Sequence, residues 1–406
     1  MLAKILVADS ISQQGIAILE QNHDVDIKTG LSSEELIEIV NDYEGLIVRS
    51  ETKVTEEIIL AASKLRVIAR AGIGIDNINV TAATNAGIAV INAPTGNIIA
   101  AAEHTIGFLI ASARHIPQAA ASMKSGLWER SRFMGIELKG KTLGIIGAGK
   151  VGSEVAKRAK SFDMRVIACD PFISSERANR LGMELVDLND LLISSDFVTI
   201  HTPYMASTEK MISSEQISLM KNGAKLINVA RGEVIDDDAL LQALDSGKIS
   251  TAALDVFRDE PEIDVRLTEH PNVISTPHLG GSTMEAQHAV AIEVAEQLVD
   301  ILKGSFGKNI VNAPMLGPEN QSVVSPMIPV AEMIGRLSIG LSEGQFRSIS
   351  LLYEGEISEY DTSVLKSAFL AGFIQGTTNE QVNAINAPLI ASARGLEVIE
   401  QKVPKE

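Results

Sequence analysis

Short, nearly continuous apolar runs alternate with amphipathic stretches along most of the chain. The runs KILVAD (4–9), VDIKT (25–29), GLIVR (45–49), VIARAG (67–72) and IAVINAP (88–94) are rich in Val and Ile. Few polar positions interrupt them, as in strands buried on both faces of a parallel sheet. Between them, LSSEELIEIV and TEEIILAASK carry helical spacing and Ser or Thr starts. A second series runs through KTLGIIG (141–147), RVIACD (165–170), FVTIH (197–201), KLINVA (225–230), AALDV (252–256) and VISTPH (273–278). Parallel strands need crossover helices, which this spacing supplies. The pattern predicts an α/β chain with two doubly wound, Rossmann-like domains and a cleft between them.

Two longer helices are predicted, at about 97–114 and about 283–303, the second with Gly304 as its C-cap. The second follows the last strand of the second series and reads as a return path to the first domain. The predicted organisation is therefore a discontinuous substrate-binding domain (1–96 and 286–312) and a Rossmann domain (97–285). A short α+β segment (313–406) completes it. MLGPENQSVVSP (315–326) reads as a linker, SISLLYEG as the one strand-like piece of the last segment, and QKVPKE as a polar tail.

Composition narrows the function. Thirty-five Lys and Arg against 52 Asp and Glu give a net charge of −17 across 406 residues. That disfavours general nucleic-acid or anionic-membrane binding, and an anionic ligand would need a local cationic pocket. No uninterrupted apolar run approaches the length of a membrane span, and the N-terminus reads as a strand rather than a signal peptide. The single cysteine, Cys169, fits a reducing, cytoplasmic setting.

GAGKVG (147–152) matches G-x-G-x-x-G between an apolar strand and a helical stretch, and Asp170 ends the next strand. Each feature has a mechanical reason. Gly147 permits a tight turn, Gly149 lets backbone approach a pyrophosphate, and Gly152 allows helix and strand to pack closely. The helix N-terminus offers free N–H donors to the phosphates. Asp170 would bond the ribose diol and repel a 2′-phosphate, which favours NAD over NADP.

Hydride chemistry at a carbonyl also needs a proton carrier and a cation. Of the seven histidines, His278 ends a strand before Gly280 and Gly281. Strand C-termini face the ligand crevice in this fold class. Glu260 lies beyond AALDV, where a carboxylate would orient the imidazole, and Arg231 in NVARGE offers a fork for a carboxylate. Alone, each is more often structural; together at strand ends below a dinucleotide loop they point to catalysis. No HxxxH pattern and no Cys/His cluster is present, so no metal is expected.

The series GAGKVG, Asp170, NVARGE, ALDVFRDEP and PHLGGST resembles the D-2-hydroxyacid dehydrogenases. The likeness runs on through LIVRSETKVT (46–55), VIARAGIGIDNI (67–78), INAPTGN (91–97) and SGLWERSRFMGIEL (125–138), covering roughly residues 1–312. It is closest to the branch that oxidises 3-phospho-D-glycerate to 3-phosphooxypyruvate at the start of L-serine biosynthesis. The resemblance implies Arg231, Glu260 and His278 as the catalytic set. It implies NAD contacts at Gly147, Gly149, Lys150, Val151, Gly152, Asp170, Thr202, Val229, Ala230, Asp255, Gly280 and Gly281. It assigns Arg49, Arg70, Gly72, Ile73, Gly74, Asn97 and Arg130 to the substrate, a small phosphorylated 2-hydroxy acid. Arg130 is expected to reach from a partner subunit of a homodimer or homotetramer. The backbone N–H groups of residues 72–75 are expected to hold the substrate carboxylate. Cleft closure before hydride transfer is also expected.

The last segment resembles the start of an intervening domain found in long members of the family, with NEQVNAINAPLIASARGLEV similar to its middle. The serine-sensing ACT domain of those members is not in the sequence, so serine inhibition through it is expected to be missing. A half-domain would expose sheet edges, which predicts partner-chain pairing or poor order beyond about residue 320. The runner-up functions are a glyoxylate or hydroxypyruvate reductase of the same family and a non-catalytic, NAD-sensing corepressor-like protein.

Overall fold

A computed structural model describes residues 2–304, 309–315, 317, 320–342, 344, 346–378 and 381–404. The chain divides into two compact units, Met1–Gly96 with Gln287–Glu406, and Asn97–Ala286.

The first unit holds a parallel sheet of order β2-β1-β3-β4-β5. Its strands are β1 (Lys4–Val7), β2 (Asp24–Ile27), β3 (Gly45–Val48), β4 (Val67–Arg70) and β5 (Ala89–Asn92). Alternate side chains serve opposite faces, as the two-residue period of a strand requires. Ile5, Val7, Ile47, Val67 and Ile91 pack with Val290, Val294 and Leu298 of the Met284–Leu302 helix. Leu6, Leu46, Val48, Ile68 and Val90 pack on the other face with Leu36, Ile58 and Ala83. The helix after the second series therefore does return to the first sheet, and Gly304 stands just beyond it at φ +91°. β2 departs from the expectation of burial on both faces: it is an edge strand with none of its residues fully buried, because only β1 flanks it.

The second unit holds a seven-stranded parallel sheet of order β12-β11-β10-β9-β6-β7-β8. Its strands are β6 (Thr142–Ile146), β7 (Arg165–Cys169), β8 (Glu184–Leu185), β9 (Phe197–Ile200), β10 (Ala224–Asn228), β11 (Ile249–Leu254) and β12 (Val273–Ser275). β6, β9 and β10 are buried along their whole length, each flanked by a strand on both sides. The chain winds outward from β6 in one direction through β7 and in the other from β9. The order thus reverses between β6 and β9, where ligands bind outside the strand C-termini of such sheets.

The C-terminal segment, within the first unit, holds a parallel pair, β13 (Ser348–Glu354) and β14 (Glu397–Val403). β14 corrects the reading of a single strand followed by a polar tail. Glu400, Gln401 and Lys402 hide its strand character in sequence, and pairing with β13 supplies it. The linker expected at 315–326 is helical from Gln321 onward, since Pro326 and Pro329 each sit in a first helical turn, where no N–H is missed. Residues 316, 318 and 319 of that linker lie outside the described residues, as do 379 and 380 of the intervening-domain run and 405 and 406 of the tail.

Among the described residues one stretch, Ser322–Gly340, is long and apolar enough to cross a membrane by length and composition, with a mean hydropathy of 1.2. Glu332 and Arg336 interrupt it, so it is not an unbroken apolar run. Its helix crosses the Ser363–Gln375 helix at paired glycines. A Cβ on Gly335 would fall onto the Phe369 carbonyl, and one on Gly372 onto that of Glu332.

Candidate active site

The glycine loop leaves β6 at the point where the sheet order reverses. Gly147 adopts φ +92°, and a Cβ there would lie 2.7 Å from the His201 carbonyl oxygen. Gly152 presses onto the Gly147 carbonyl and the Ile145 side chain. Gly149 caps the Lys150–Lys160 helix, and a Cβ added to it would meet open space. Lys150 and Val151 open that helix. Asp170, just beyond β7, locks the loop: its Oδ2 accepts from the Ala148 N–H at 2.8 Å and its Oδ1 from Phe172 N–H at 2.8 Å. Each oxygen keeps a further lone pair for a ribose hydroxyl.

These residues fit a dinucleotide. The cradle at Gly149 is open, and the loop ends in a helix N-terminus with unpaired N–H donors. Thr202 follows β9, and its buried hydroxyl oxygen has no hydrogen-bond partner among the described residues. Buried polar atoms are seldom left so unless a ligand completes them.

β10, β11 and β12 lie side by side, and their C-terminal loops carry Arg231, Glu260 and His278. His278 Nδ1 lies 2.6 Å from Glu260 Oε2, with 45% of the imidazole side chain accessible. Glu260 Oε1 accepts from the Phe257 N–H at 2.9 Å. Burial pushes the Glu260 pKa up, but the His278 hydrogen bond and the Phe257 N–H outweigh it, so the carboxyl stays below its ordinary range. An ionised carboxylate only accepts, so His278 Nδ1 carries a proton and Nε2 is left for exchange. His278 adopts φ +54°, rare for a residue with a side chain.

Arg231 is reached through Asn228, whose amide donates to the Arg231 carbonyl at 2.8 Å and whose Oδ1 accepts from Ala230 N–H at 3.0 Å. Arg231 Nη1 donates to the Ala230 carbonyl at 2.7 Å. Next to it, Gly232 lies against the Phe257–Arg258 peptide so closely that no Cβ would fit. The loops bearing Arg231 and Glu260 therefore touch. Gly280 sits against Val229 and Asp255, and a Cβ on Gly281 would lie 2.8 Å from the Asn97 amide nitrogen. Val229, Ala230, Asp255, Asn97, Gly280 and Gly281 thus gather around the same strand ends. Asn97 stands at the start of the Ile98–Arg114 helix with its side-chain oxygen buried and unpartnered among the described residues.

In the first unit, Arg49 follows β3 and Arg70 ends β4, and Val48 pairs in register with Arg70. Arg49 Nη1 donates to the Ser10 carbonyl at 3.2 Å. The guanidinium of Arg70 covers Gly72, occupying the space a Cβ would take. The Gly72 N–H donates to the Arg70 carbonyl at 2.8 Å, closing a tight turn. Ile73 and Gly74 follow in the same turn, held by the Asn92 amide, which donates to the Ile73 carbonyl at 2.6 Å. Arg130 opens a short 3-10 turn, Arg130–Phe133, in the second unit.

Two supporting residues escaped the sequence reading. Asp9, fully buried after β1, accepts from the Arg49 N–H at 2.5 Å and the Thr52 hydroxyl at 2.5 Å. Asn77 donates to the carbonyls of Arg49 and Thr52 at 2.7 and 2.6 Å. An acid at the C-terminus of an apolar strand was the one available signal for Asp9; Asn77 had none.

Residues 106–280 match the family of D-isomer-specific 2-hydroxyacid dehydrogenase NAD-binding domains, and residues 323–406 match the D-3-phosphoglycerate dehydrogenase intervening domain. The D-3-phosphoglycerate dehydrogenase of Methanocaldococcus jannaschii is 47% identical over 406 residues, spanning all of this chain and 78% of that one. The Synechocystis enzyme of the same name is 48% identical over 402 residues, 99% of this chain and 73% of that one. The structure of Aquifex aeolicus D-lactate dehydrogenase with NAD and lactic acid superposes with a TM-score of 0.68 at 28% identity, over 77% of this chain and 99% of that one. With the glycine loop, the strand-end His–Glu pair and this likeness along its whole length, the chain belongs to the D-3-phosphoglycerate dehydrogenase family of NAD-dependent D-2-hydroxyacid dehydrogenases.

Proposed function

We propose that the chain oxidises 3-phospho-D-glycerate to 3-phosphooxypyruvate with NAD, the step that opens L-serine biosynthesis. The observation that carries this reading is the 2.6 Å pairing of His278 with Glu260 at the strand ends of the sheet that bears the glycine loop. Bound NAD supplies the acceptor for the hydride that leaves the hydroxyl-bearing carbon. His278 takes the hydroxyl proton on Nε2 and returns it in the reverse direction. Glu260 stabilises the resulting imidazolium and fixes the ring. Arg231 grips the substrate carboxylate and polarises the carbonyl as it forms.

The cofactor is held by the glycine loop with Lys150 and Val151, by Asp170 on the ribose, and by Thr202, Val229, Ala230, Asp255, Gly280 and Gly281. Arg49, Arg70 and a partner copy's Arg130 neutralise phosphate and carboxylate, with the 73–74 backbone and Asn97 completing the substrate contacts. Glyoxylate has no phosphate for such a cation set to hold. The enzyme works as a homodimer or homotetramer in the cytoplasm. The exposed apolar side chains Leu127, Trp128 and Met134 around Arg130 support association through that segment.

The test is a panel of 3-phosphoglycerate, glycerate, lactate and 2-hydroxyglutarate, each with NAD and with NADP, followed by reduced nicotinamide. Turnover is expected with 3-phosphoglycerate and NAD, and a loss of about a hundredfold or more in His278→Gln. Arg49→Ala should impair the phosphorylated substrate far more than glyoxylate. Turnover confined to unphosphorylated acids, or full activity in His278→Gln, overturns the reading.

A further inference from the structure

The turn that carries His278 is held from below by a residue outside the reacting set. Asp255, with 1% of its side chain accessible, binds that turn at several points. Its Oδ1 accepts from Leu279 N–H at 2.7 Å and from the Thr276 hydroxyl at 2.5 Å, and its Oδ2 accepts from Gly280 N–H at 2.7 Å. Its main-chain carbonyl accepts from His278 N–H at 2.8 Å. These bonds hold His278 in the left-handed region, a conformation that persists only where surroundings over-determine it.

Behind Asp255 stands His104, on the Ile98–Arg114 helix, its ring 4.6 Å from that of Phe108. His104 Nε2 lies 3.0 Å from the Thr276 hydroxyl oxygen and 3.3 Å from Asp255 Oδ1. The Thr276 hydrogen is already committed to Asp255, and an ionised Asp255 has none to give. Both neighbours of Nε2 are therefore acceptors, so Nε2 must carry the proton. His104 is the donor that orients the Thr276 hydroxyl and adds a further bond to a buried carboxylate. Burial pushes the Asp255 pKa up, yet the bonds from His104, Thr276 and the turn hold it below the usual range.

We infer that His104 is a positioning residue for the proton transfer: through Thr276 and Asp255 it fixes the 276–280 turn and with it the His278 imidazole. This rests on His278 being the acid/base, and it adds a support that reaches the turn through the Asp255 carboxylate and the Thr276 hydroxyl. Misplacing a catalytic group by an ångström can cost on the order of a hundredfold in rate. The effect belongs in kcat, since His104 has no role in gripping substrate.

The experiment is steady-state kinetics of the full chain with NAD and 3-phosphoglycerate, for His104→Leu, His104→Gln, Thr276→Val and the His104→Leu/Thr276→Val double variant. His278→Gln is the control. His104→Leu should lose roughly tenfold or more in kcat, with KM changed less than about twofold. His104→Gln, whose amide can donate to the same acceptors, should recover most of the loss. The double variant should be no worse than its worse single, because both break one chain of bonds. Wild-type kcat in both His104→Leu and Thr276→Val overturns the inference, as do additive losses or a loss that follows only the folded fraction. If His104→Leu does not fold, His104→Gln and Thr276→Val decide alone: a lower kcat in Thr276→Val at near-normal KM, with His104→Gln close to wild type, supports it. Should His278→Gln keep full turnover, the acid/base assignment fails instead, which separates the two outcomes.

Discussion

A proton carrier needs a ring that reaches substrate on one side and a fixed charge on the other. His278 has the fixed charge, with Glu260 on Nδ1, and 45% of its side chain is accessible. A second histidine shows how differently burial can use the same side chain. His201 ends the second unit's central β9 region, with Nε2 3.0 Å from the Thr199 hydroxyl, and desolvation pushes its pKa down to about 3. The folded protein therefore resists protonating His201, while the unfolded chain takes up a proton near pH 6.5. Its contribution to stability is complete above about pH 6.5 and is lost as pH falls from there toward 3. His201 retains some solvent contact as a residue, so the loss expected by pH 5 is about 1–2 kcal/mol rather than the full value for an enclosed imidazole. Thermal unfolding of wild type and His201→Gln between about pH 7.5, above the unfolded-state pKa, and about pH 5, within the range where the stability is lost, should show a steeper fall for wild type. Parallel curves would remove His201 from the account.

At the scale of elements, the site is a property of strand ends. Parallel strands deliver their C-terminal loops to one edge of the sheet, so residues far apart in sequence converge. The convergence is tight enough to demand glycine where two loops meet. Gly232 lies on the Phe257–Arg258 peptide, with no space for even one methyl. Gly232→Ala should therefore push the Arg231 loop from the Glu260 loop and cost about 1–3 kcal/mol by overpacking. It should also lower kcat/KM, read by urea unfolding alongside kinetics. Normal stability and rate would mean that the loops can part without consequence.

At the scale of the whole molecule, the chain is acidic, with a net charge of −17, yet it exposes Trp128 at 75% and Met134 at 80% beside Arg130. The proposed homo-oligomer would cover these apolar side chains. Light scattering should give a dimer or larger for wild type and a shift to monomer for Trp128→Glu. If Arg130 acts in the partner's site, Arg130→Ala and His278→Gln chains, each weak alone, should regain up to about a quarter of wild-type activity when mixed and allowed to exchange subunits. Silence on mixing would assign Arg130 to its own subunit.

The sequence by itself determined the strand series and the glycine loop with Asp170, and it named Arg231, Glu260 and His278, which the fold brings to neighbouring strand ends. Each rests on local physics: apolar runs, φ-permissive glycines, and residues that must follow a strand. It could not reveal β14, whose strand character comes from pairing with β13 through a charged run. Nor could it reveal that the Gly72 N–H donates to the Arg70 carbonyl, or that Asp9, His104 and Asn77 brace turns distant from them in sequence. Those roles exist only where separate segments meet, and hydrogen bonds between such segments are fixed by packing, which tertiary structure alone decides.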